Sequence, residues 1–245
     1  MVNMLRLQTT DALFLDFDGT LVGFADTPEA VEVSQELRTL LTAWHSKLNG
    51  ALALISGREL SSLQRHVDLP LPMAGSHGAE WWYGTGQVQS LSLINDEFRH
   101  IKQQLKILAQ QENLLLEDKG KALAIHFRQQ PEKEQRLDSY LDEILFRFPS
   151  AKVRLIKGNC VRELQPLGVD KGVALARFMQ TNTFKGRRPV YLGDDTTDED
   201  AFAWVNMNQG LSIKVGEGPS CARARMNNPG EVFAFLKSQL IKLDG

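Results

Sequence analysis

Asp11-Ala12-Leu13-Phe14-Leu15-Asp16-Phe17-Asp18-Gly19-Thr20 runs from an apolar core segment directly into two carboxylates and a glycine. Ala12–Leu15 is short and apolar and reads as a buried strand, with the acids at its carboxyl end. Working outward, Val33, Leu37, Leu40, Leu41, Trp44 and Leu48 recur at helical spacing, and Asn49-Gly50 stops that helix. Ala51–Ile55 then reads as a second buried strand, ending in Ser56-Gly57-Arg58. A short helix follows, carrying Leu60, Leu63 and Val67. Strand, helix, strand, helix implies a parallel sheet with crossover helices.

The pattern then changes. Ala79–Tyr83 and Gln87–Leu91 flank Gly84-Thr85-Gly86, which predicts a hairpin. Phe98, Ile101, Leu105 and Leu108 mark a long helix, after which Leu114–Glu117 and Lys121–Arg128 flank Asp118-Lys119-Gly120. A second helix carries Leu137, Leu141, Ile144 and Phe148, and Lys152–Ile156 and Cys160–Leu164 flank Lys157-Gly158-Asn159. Helix–strand–strand therefore occurs twice, which predicts an α+β layer with an antiparallel sheet and helices on one face. After Pro166-Leu167-Gly168 the first style returns: a helix near Lys171, a buried strand Val190-Tyr191-Leu192, a helix near Asp198, a strand over Leu211–Val215 and a last helix from about Glu231. The expected organisation is an α/β core formed by residues 1–79 and 166–245, with a second domain, 80–165, inserted into it.

Composition limits the partners. The 245 residues carry 28 basic and 30 acidic side chains, a net charge of −2, so there is no bulk basic field for nucleic acid or an anionic membrane. Hydrophobic residues at 42% and charged residues at 24% are the balance of a globular domain. No apolar run approaches the roughly 18 residues of a membrane helix, and the N-terminal stretch does not read as a signal peptide. Cys160 and Cys221 form no disulfide framework or zinc motif and are expected as reduced, buried thiols of a cytoplasmic chain.

Three polar clusters end three predicted strands: Asp16-Phe17-Asp18-Gly19-Thr20, Ser56-Gly57-Arg58 and Gly193-Asp194-Asp195-Thr196-Thr197-Asp198. Each alone fits a surface turn or a solvated helix start. Together they point to a site, because open α/β sheets bind ligands outside the carboxyl ends of their strands. Converging aspartates repel one another, and a hard divalent cation resolves the conflict; Asp16 and Asp194 with a backbone carbonyl suit Mg²⁺. A carboxylate such as Asp16 can attack phosphorus, and Asp18, two residues on, can serve as acid and base. Lys171, at a predicted helix start, can supply positive charge, and Ser56 and the Gly57 N–H can donate to phosphoryl oxygens. The five histidines are scattered and offer no metal-ligand spacing.

These motifs, in this order, resemble the haloacid dehalogenase superfamily of aspartyl phosphatases. The resemblance implies a Rossmann-like core and an inserted α+β cap. It makes Asp16 the nucleophile and Asp18 the acid/base. Ser56 and Lys171 would hold the phosphoryl group, and Asp16, the Asp18 carbonyl and Asp194 would bind Mg²⁺. Asp198 would orient Lys171 or metal-bound water. A narrower likeness rests on Leu54–Arg58, Gly75-Ser76-His77-Gly78-Ala79-Glu80, Glu117-Asp118-Lys119-Gly120, His126-Phe127-Arg128 and Gly193–Glu199. These resemble trehalose-6-phosphate phosphatases, in which cap residues hold the disaccharide, here Glu117, Lys119 and Glu163. His77 is expected to shape the loop between core and cap and to reach the substrate. One departure is Glu163-Leu164-Gln165-Pro166, where relatives often carry a basic residue after the Glu-aliphatic pair. The expected partner is a small sugar phosphate and the expected state a monomer. Sucrose 6-phosphate or mannosyl-3-phosphoglycerate stand as alternative substrates, and a silent sugar-phosphate sensor as the alternative class. A sensor needs no acid/base, so Asp18 weighs against it.

Overall fold

The computed structural model describes residues 5–25, 27–91, 95–118 and 122–244. They form two compact units, residues 1–90 with 170–245, and residues 91–169.

The first unit begins with β1 (Asp11–Leu15), wholly buried, then α1 (Gln35–Lys47) and β2 (Leu52–Ile55). Ser34 starts α1 by accepting the Leu37 N–H at 3.2 Å. The helix buries Leu37, Leu40, Leu41 and Trp44, as its spacing predicts. Burying each such side chain stabilises the fold by about 1.5–3 kcal/mol. Next come α2 (Leu60–Val67), β3 (Pro72–Gly75), β4 (Glu80–Tyr83) and β5 (Gln89–Ser90). The second unit holds α3 (Asp96–Glu112), β6 (Leu115–Asp118), β7 (Leu123–His126), α4 (Glu134–Arg147), β8 (Val153–Gly158) and β9 (Val161–Pro166). The chain re-enters the first unit with α5 (Lys171–Met179), β10 (Arg188–Gly193), α6 (Glu199–Met207), β11 (Leu211–Val215), β12 (Ala224–Met226) and α7 (Pro229–Asp244). The indole N–H of Trp44 donates to the Leu236 carbonyl at 3.2 Å, tying α1 to α7.

The large sheet has the order β12-β11-β10-β1-β2-β3-β4-β5. Its strands are parallel from β12 to β3, and β4 and β5 extend it antiparallel. The predicted hairpin therefore belongs to the core sheet, because β4 pairs with β3. The units accordingly divide at Ser90/Leu91 and Val169/Asp170, where the sequence places 79/80 and 165/166.

The second unit is an antiparallel sheet of order β6-β7-β9-β8. Phe98, Ile101 and Leu105 of α3 and Leu137, Leu141 and Ile144 of α4 share a core with Leu123, Ile125 and Leu164 on one face of this sheet. Alternation puts Glu117, Ala124 and Glu163 on the other face. The two cysteines depart from expectation: Cys160 is half-buried and Cys221 exposed. Cys160 sits in the β8–β9 turn with φ +56°, and Cys221 lies in the loop before β12. Among the described residues no helix is long and apolar enough to cross a membrane.

Candidate active site

Strand order reverses at β1. From it, β2 and β3 run one way and β10, β11 and β12 the other. Such a reversal opens a crevice at the carboxyl ends of the strands. Asp16 follows β1, Ser56 follows β2 and Asp194 follows β10, so residues 178 positions apart meet at that edge. The Asp16 N–H donates to the Leu192 carbonyl at 2.9 Å, which locks the two strand ends together.

Oxygens of Asp16, Asp194 and Asp198 lie within 4.8 Å of one another. Lys171, the first residue of α5, donates to Asp16 Oδ1 at 2.7 Å and to Asp198 Oδ1 at 2.6 Å. Asp170 caps that helix by accepting the Val173 N–H at 2.7 Å, so the lysine is delivered from a fixed helix start. Asp198 is held from the other side as well. Its Oδ1 accepts the Tyr191 hydroxyl at 2.5 Å and its Oδ2 the Asp195 N–H at 2.8 Å, within a reciprocal capping box. The acidic run thus divides its labour. Asp194 and Asp198 join the cluster, Asp195 caps the turn, and Glu199 and Asp200 occupy the first turn of α6. The Lys214 ammonium donates to the Asp194 carbonyl. Gly19 explains the glycine of the first motif. Its φ is +76°, and a Cβ there would lie 2.0 Å from Asp194 Oδ2, so any side chain would displace the carboxylate.

Asp18 goes elsewhere. Its carboxylate is gripped by Arg58, with Nε to Oδ2 at 2.6 Å and Nη2 to Oδ1 at 2.7 Å. Ser56 is fully buried; its Oγ accepts the Arg58 N–H at 3.1 Å and its carbonyl the His77 N–H at 3.0 Å. His77 covers Gly57 so closely that a Cβ on Gly57 would lie 2.7 Å from the ring. Ser76 and His77 are both left-handed, with φ of 49° and 54°, a costly backbone for non-glycine residues that aims the imidazole at that glycine.

In the second unit, Glu117, Ala124 and Glu163 form one rung across β6, β7 and β9. Glu117 Oε2 lies 3.1 Å from His126 Nε2. Glu163 Oε1 accepts Gln165 Nε2 at 2.6 Å, and Gln165 Oε1 accepts Arg154 Nη2 at 3.2 Å. A guanidinium on β8 therefore stands beside the position where the sequence lacks a basic residue. Lys119 lies outside the described residues. Arg58, Tyr191 and Arg154 carry no role in the sequence reading. Tyr191 had a signal: a tyrosine inside an apolar strand needs a partner for its hydroxyl.

Burial pushes the Asp16 carboxyl well above the usual range, Lys171 opposes the rise, and Asp198 and Asp194 add to it. Burial likewise lifts Asp194 to about 6, helped by Asp198. Burial would lower Lys171, but Asp16 and Asp198 outweigh it and hold the ammonium charged. Tyr191 is raised by burial and by Asp198, so it stays a donor. The donor set is all oxygen, and both Asp198 oxygens are already engaged. Asp16, with Oδ1 bonded to Lys171, and Asp194, with Oδ1 3.4 Å from the Thr20 hydroxyl, add two more carboxylates whose proton affinity their acidic neighbours raise, a fit for a hard divalent ion.

A carboxyl with a raised folded-state pKa binds its proton more tightly when folded, so stability falls as pH rises from the unfolded to the folded value. For Asp194 that window runs from 3.8 to about 6. With a chelator present, Asp194→Asn should gain on wild type in melting temperature as pH is raised from about 4 to about 7. A pH-independent difference would mean that the charge of Asp194 is already compensated.

A parallel sheet with carboxylates and a lysine at its switch point, interrupted in sequence by an antiparallel unit, is the fold of haloacid dehalogenase-like hydrolases. A solved haloacid dehalogenase-like hydrolase from Bacteroides thetaiotaomicron shares the fold at a TM-score of 0.68 and 16% identity, over 93% of this chain and 98% of that one. A family model described as trehalose-phosphatase matches residues 14–229. The trehalose-6-phosphate phosphatase of Escherichia coli (strain K12) is 40% identical over 236 residues, 95% of this chain and 87% of that protein. A solved trehalose-6-phosphate phosphatase related protein aligns at 26% identity and a TM-score of 0.72, over 94% of this chain and 97% of that one. The chain belongs to the trehalose-phosphatase family and is a phosphoric monoester hydrolase.

Proposed function

We propose that this chain hydrolyses trehalose 6-phosphate to trehalose and phosphate, with Mg²⁺ and through a phosphoryl group carried on Asp16. The observation that carries this reading is the buried Asp16 held by Lys171 beside Asp194 and Asp198, in a chain of this family. Asp16, Asp194 and the Asp18 carbonyl would hold the ion. Bound there, Mg²⁺ would neutralise phosphate charge and orient the ester.

The residues then act in two halves. An Asp16 oxygen attacks phosphorus, the bond from phosphorus to the sugar oxygen breaks, and that oxygen takes a proton from Asp18. Next, a water gives a proton to Asp18 as its oxygen bonds to phosphorus. The bond to Asp16 breaks, and phosphate leaves. Lys171, the Ser56 hydroxyl and the Gly57 N–H stabilise the phosphoryl oxygens, while Asp198 and Tyr191 hold Lys171 in place. Glu117, Glu163 and Lys119 hold sugar hydroxyls, and His77 backs the Gly57 loop. The cytoplasm as its compartment and a monomer as its working form complete the reading.

The test is phosphate release from a panel of sugar phosphates, with Mg²⁺ and with chelator. Trehalose 6-phosphate should be cleaved fastest, and only with the metal. Sucrose 6-phosphate or mannosyl-3-phosphoglycerate in first place would move the specificity, and no release from any ester would favour a sensor. Mg²⁺ should also raise the melting temperature of wild type at neutral pH and leave Asp194→Asn unmoved.

Glu163 offers a separate test of the sugar contacts. A hydrogen bond to a charged group contributes about 1.5–3 kcal/mol. Glu163→Ala should therefore cut kcat/KM for trehalose 6-phosphate by about ten- to a hundredfold. Hydrolysis of a small aryl phosphate, which has no sugar for Glu163 to hold, should barely change. Equal losses on both substrates would assign Glu163 to the fold instead.

A further inference from the structure

We infer that Arg58 is a positioning residue for Asp18: its guanidinium fork fixes the orientation of the carboxylate that delivers and removes the proton. The inference rests on the acid/base reading of Asp18 given above. Asp18 lies beyond the end of β1, its backbone bridged to Val22, and its side chain is 28% exposed; a backbone bridge places the Cα but does not set the plane of the carboxylate. Arg58 supplies what is missing. Two parallel bonds of 2.6 and 2.7 Å join its Nε and Nη2 to the two oxygens of Asp18. A bidentate pair of this kind sets direction as well as distance, which a lysine cannot do.

The fork is itself held on several sides. Its side chain is only 9% exposed. The guanidinium carbon lies 5.3 Å from the ring centroid of Phe17, a fully buried residue between Asp16 and Asp18. Nη1 lies 3.4 Å from His66 Nε2. The Arg58 N–H donates to Ser56 Oγ at 3.1 Å, and its carbonyl accepts the Ser76 N–H at 2.6 Å. The same three-residue stretch, Ser56-Gly57-Arg58, therefore carries the proposed phosphoryl-binding serine and the holder of the acid/base. Each carboxylate oxygen has two lone pairs, and the fork uses one of each, leaving the others for the leaving oxygen or the water.

A displacement of about an ångström in a catalytic group can cost about 10²-fold. The loss should depend on the leaving group, because a good leaving oxygen needs no proton and a poor one does. The experiment measures kcat/KM for substituted phenyl phosphates and alkyl phosphates against the pKa of the leaving alcohol. The slope should be shallow for wild type and steep for Asp18→Asn. Arg58→Ala should steepen it too, losing about ten- to a hundredfold on alkyl esters and little on the most activated phenyl ester. In the Asp18→Asn background, Arg58→Ala should add almost nothing, and added guanidinium should restore part of the single variant's loss on alkyl esters. Arg58→Lys keeps the charge without the fork and guards against a misfolded alanine variant; it should also steepen the slope. Equal losses across the series in folded Arg58→Ala or Arg58→Lys would overturn the inference and leave a structural or phosphate-binding role. Additivity with Asp18→Asn would overturn it as well. A shallow slope in Asp18→Asn itself would overturn both the inference and the reading it rests on, whereas a steep slope there and a shallow one in Arg58→Ala would sink the inference alone.

Discussion

Asp16→Asn should give a folded chain that releases essentially no phosphate. The amide nitrogen and oxygen that replace the carboxylate cannot attack phosphorus, and loss of an enzyme nucleophile costs on the order of 10⁶-fold. The fold should not suffer in proportion. Asp16 is pushed up by its own burial and by Asp198 and Asp194, so removing its charge relieves repulsion among three carboxylates. Lys171 keeps Asp198 as its partner at 2.6 Å, so no cation is stranded in the interior. The expected pair of results is a melting temperature at or above that of wild type in chelator and phosphate release below about 10⁻⁴ of wild type. Fluoroberyllate with Mg²⁺ should inhibit wild type by occupying the space beside Asp16. Phosphate release within about a hundredfold of wild type would take the nucleophile's role away from Asp16.

How far these residues were legible in the sequence depended on how local their signals were. The strand ends at Asp16, Ser56 and Asp194 follow apolar runs that have no alternative to burial, and the large sheet needs little more than those runs. Pro72-Met73-Ala74-Gly75 is also a buried strand, yet it begins with proline, ends with glycine and has no β-branched residue, so it carries no strand signature. Without it the hairpin Glu80–Ser90 has no visible partner, and the sequence places the division at 79/80 where the chain's contacts divide at Ser90/Leu91. Partnerships across the fold left still less trace. That Asp18 answers to Arg58, 40 residues away, is a matter of tertiary packing. The rung of Glu117, Ala124 and Glu163 is a matter of strand register, which composition and spacing within one segment do not set. Gln165 shows the same limit. A missing positive charge was visible in the sequence, but Arg154 on the neighbouring strand was not.

Asp18→Asn should keep the fold and metal binding and lose turnover by about 10²–10⁴-fold. The two losses separate because the proposed metal contact at this position is the backbone carbonyl, which the substitution leaves in place. The amide can still accept from Arg58 through its oxygen, at the cost of one of the two bonds now at 2.6 and 2.7 Å. It cannot carry a proton to the leaving oxygen or take one from water. Both halves of the reaction should therefore slow, and which half slows more depends on the ester. With a sugar phosphate the leaving oxygen is a poor one, and formation of the Asp16 adduct should limit. With an activated aryl phosphate that first half needs little help, and hydrolysis of the adduct should limit instead. Rapid mixing of the variant with the aryl ester should then show a burst of phenolate followed by a slow steady state. The burst amplitude should approach one equivalent per chain, since one Asp16 carries each phosphoryl group. A variant that turns over within a few-fold of wild type on sugar phosphates would remove Asp18 from its role. A slow variant without a burst on the activated ester would confine Asp18 to the first half, and the base for the second would have to be sought elsewhere.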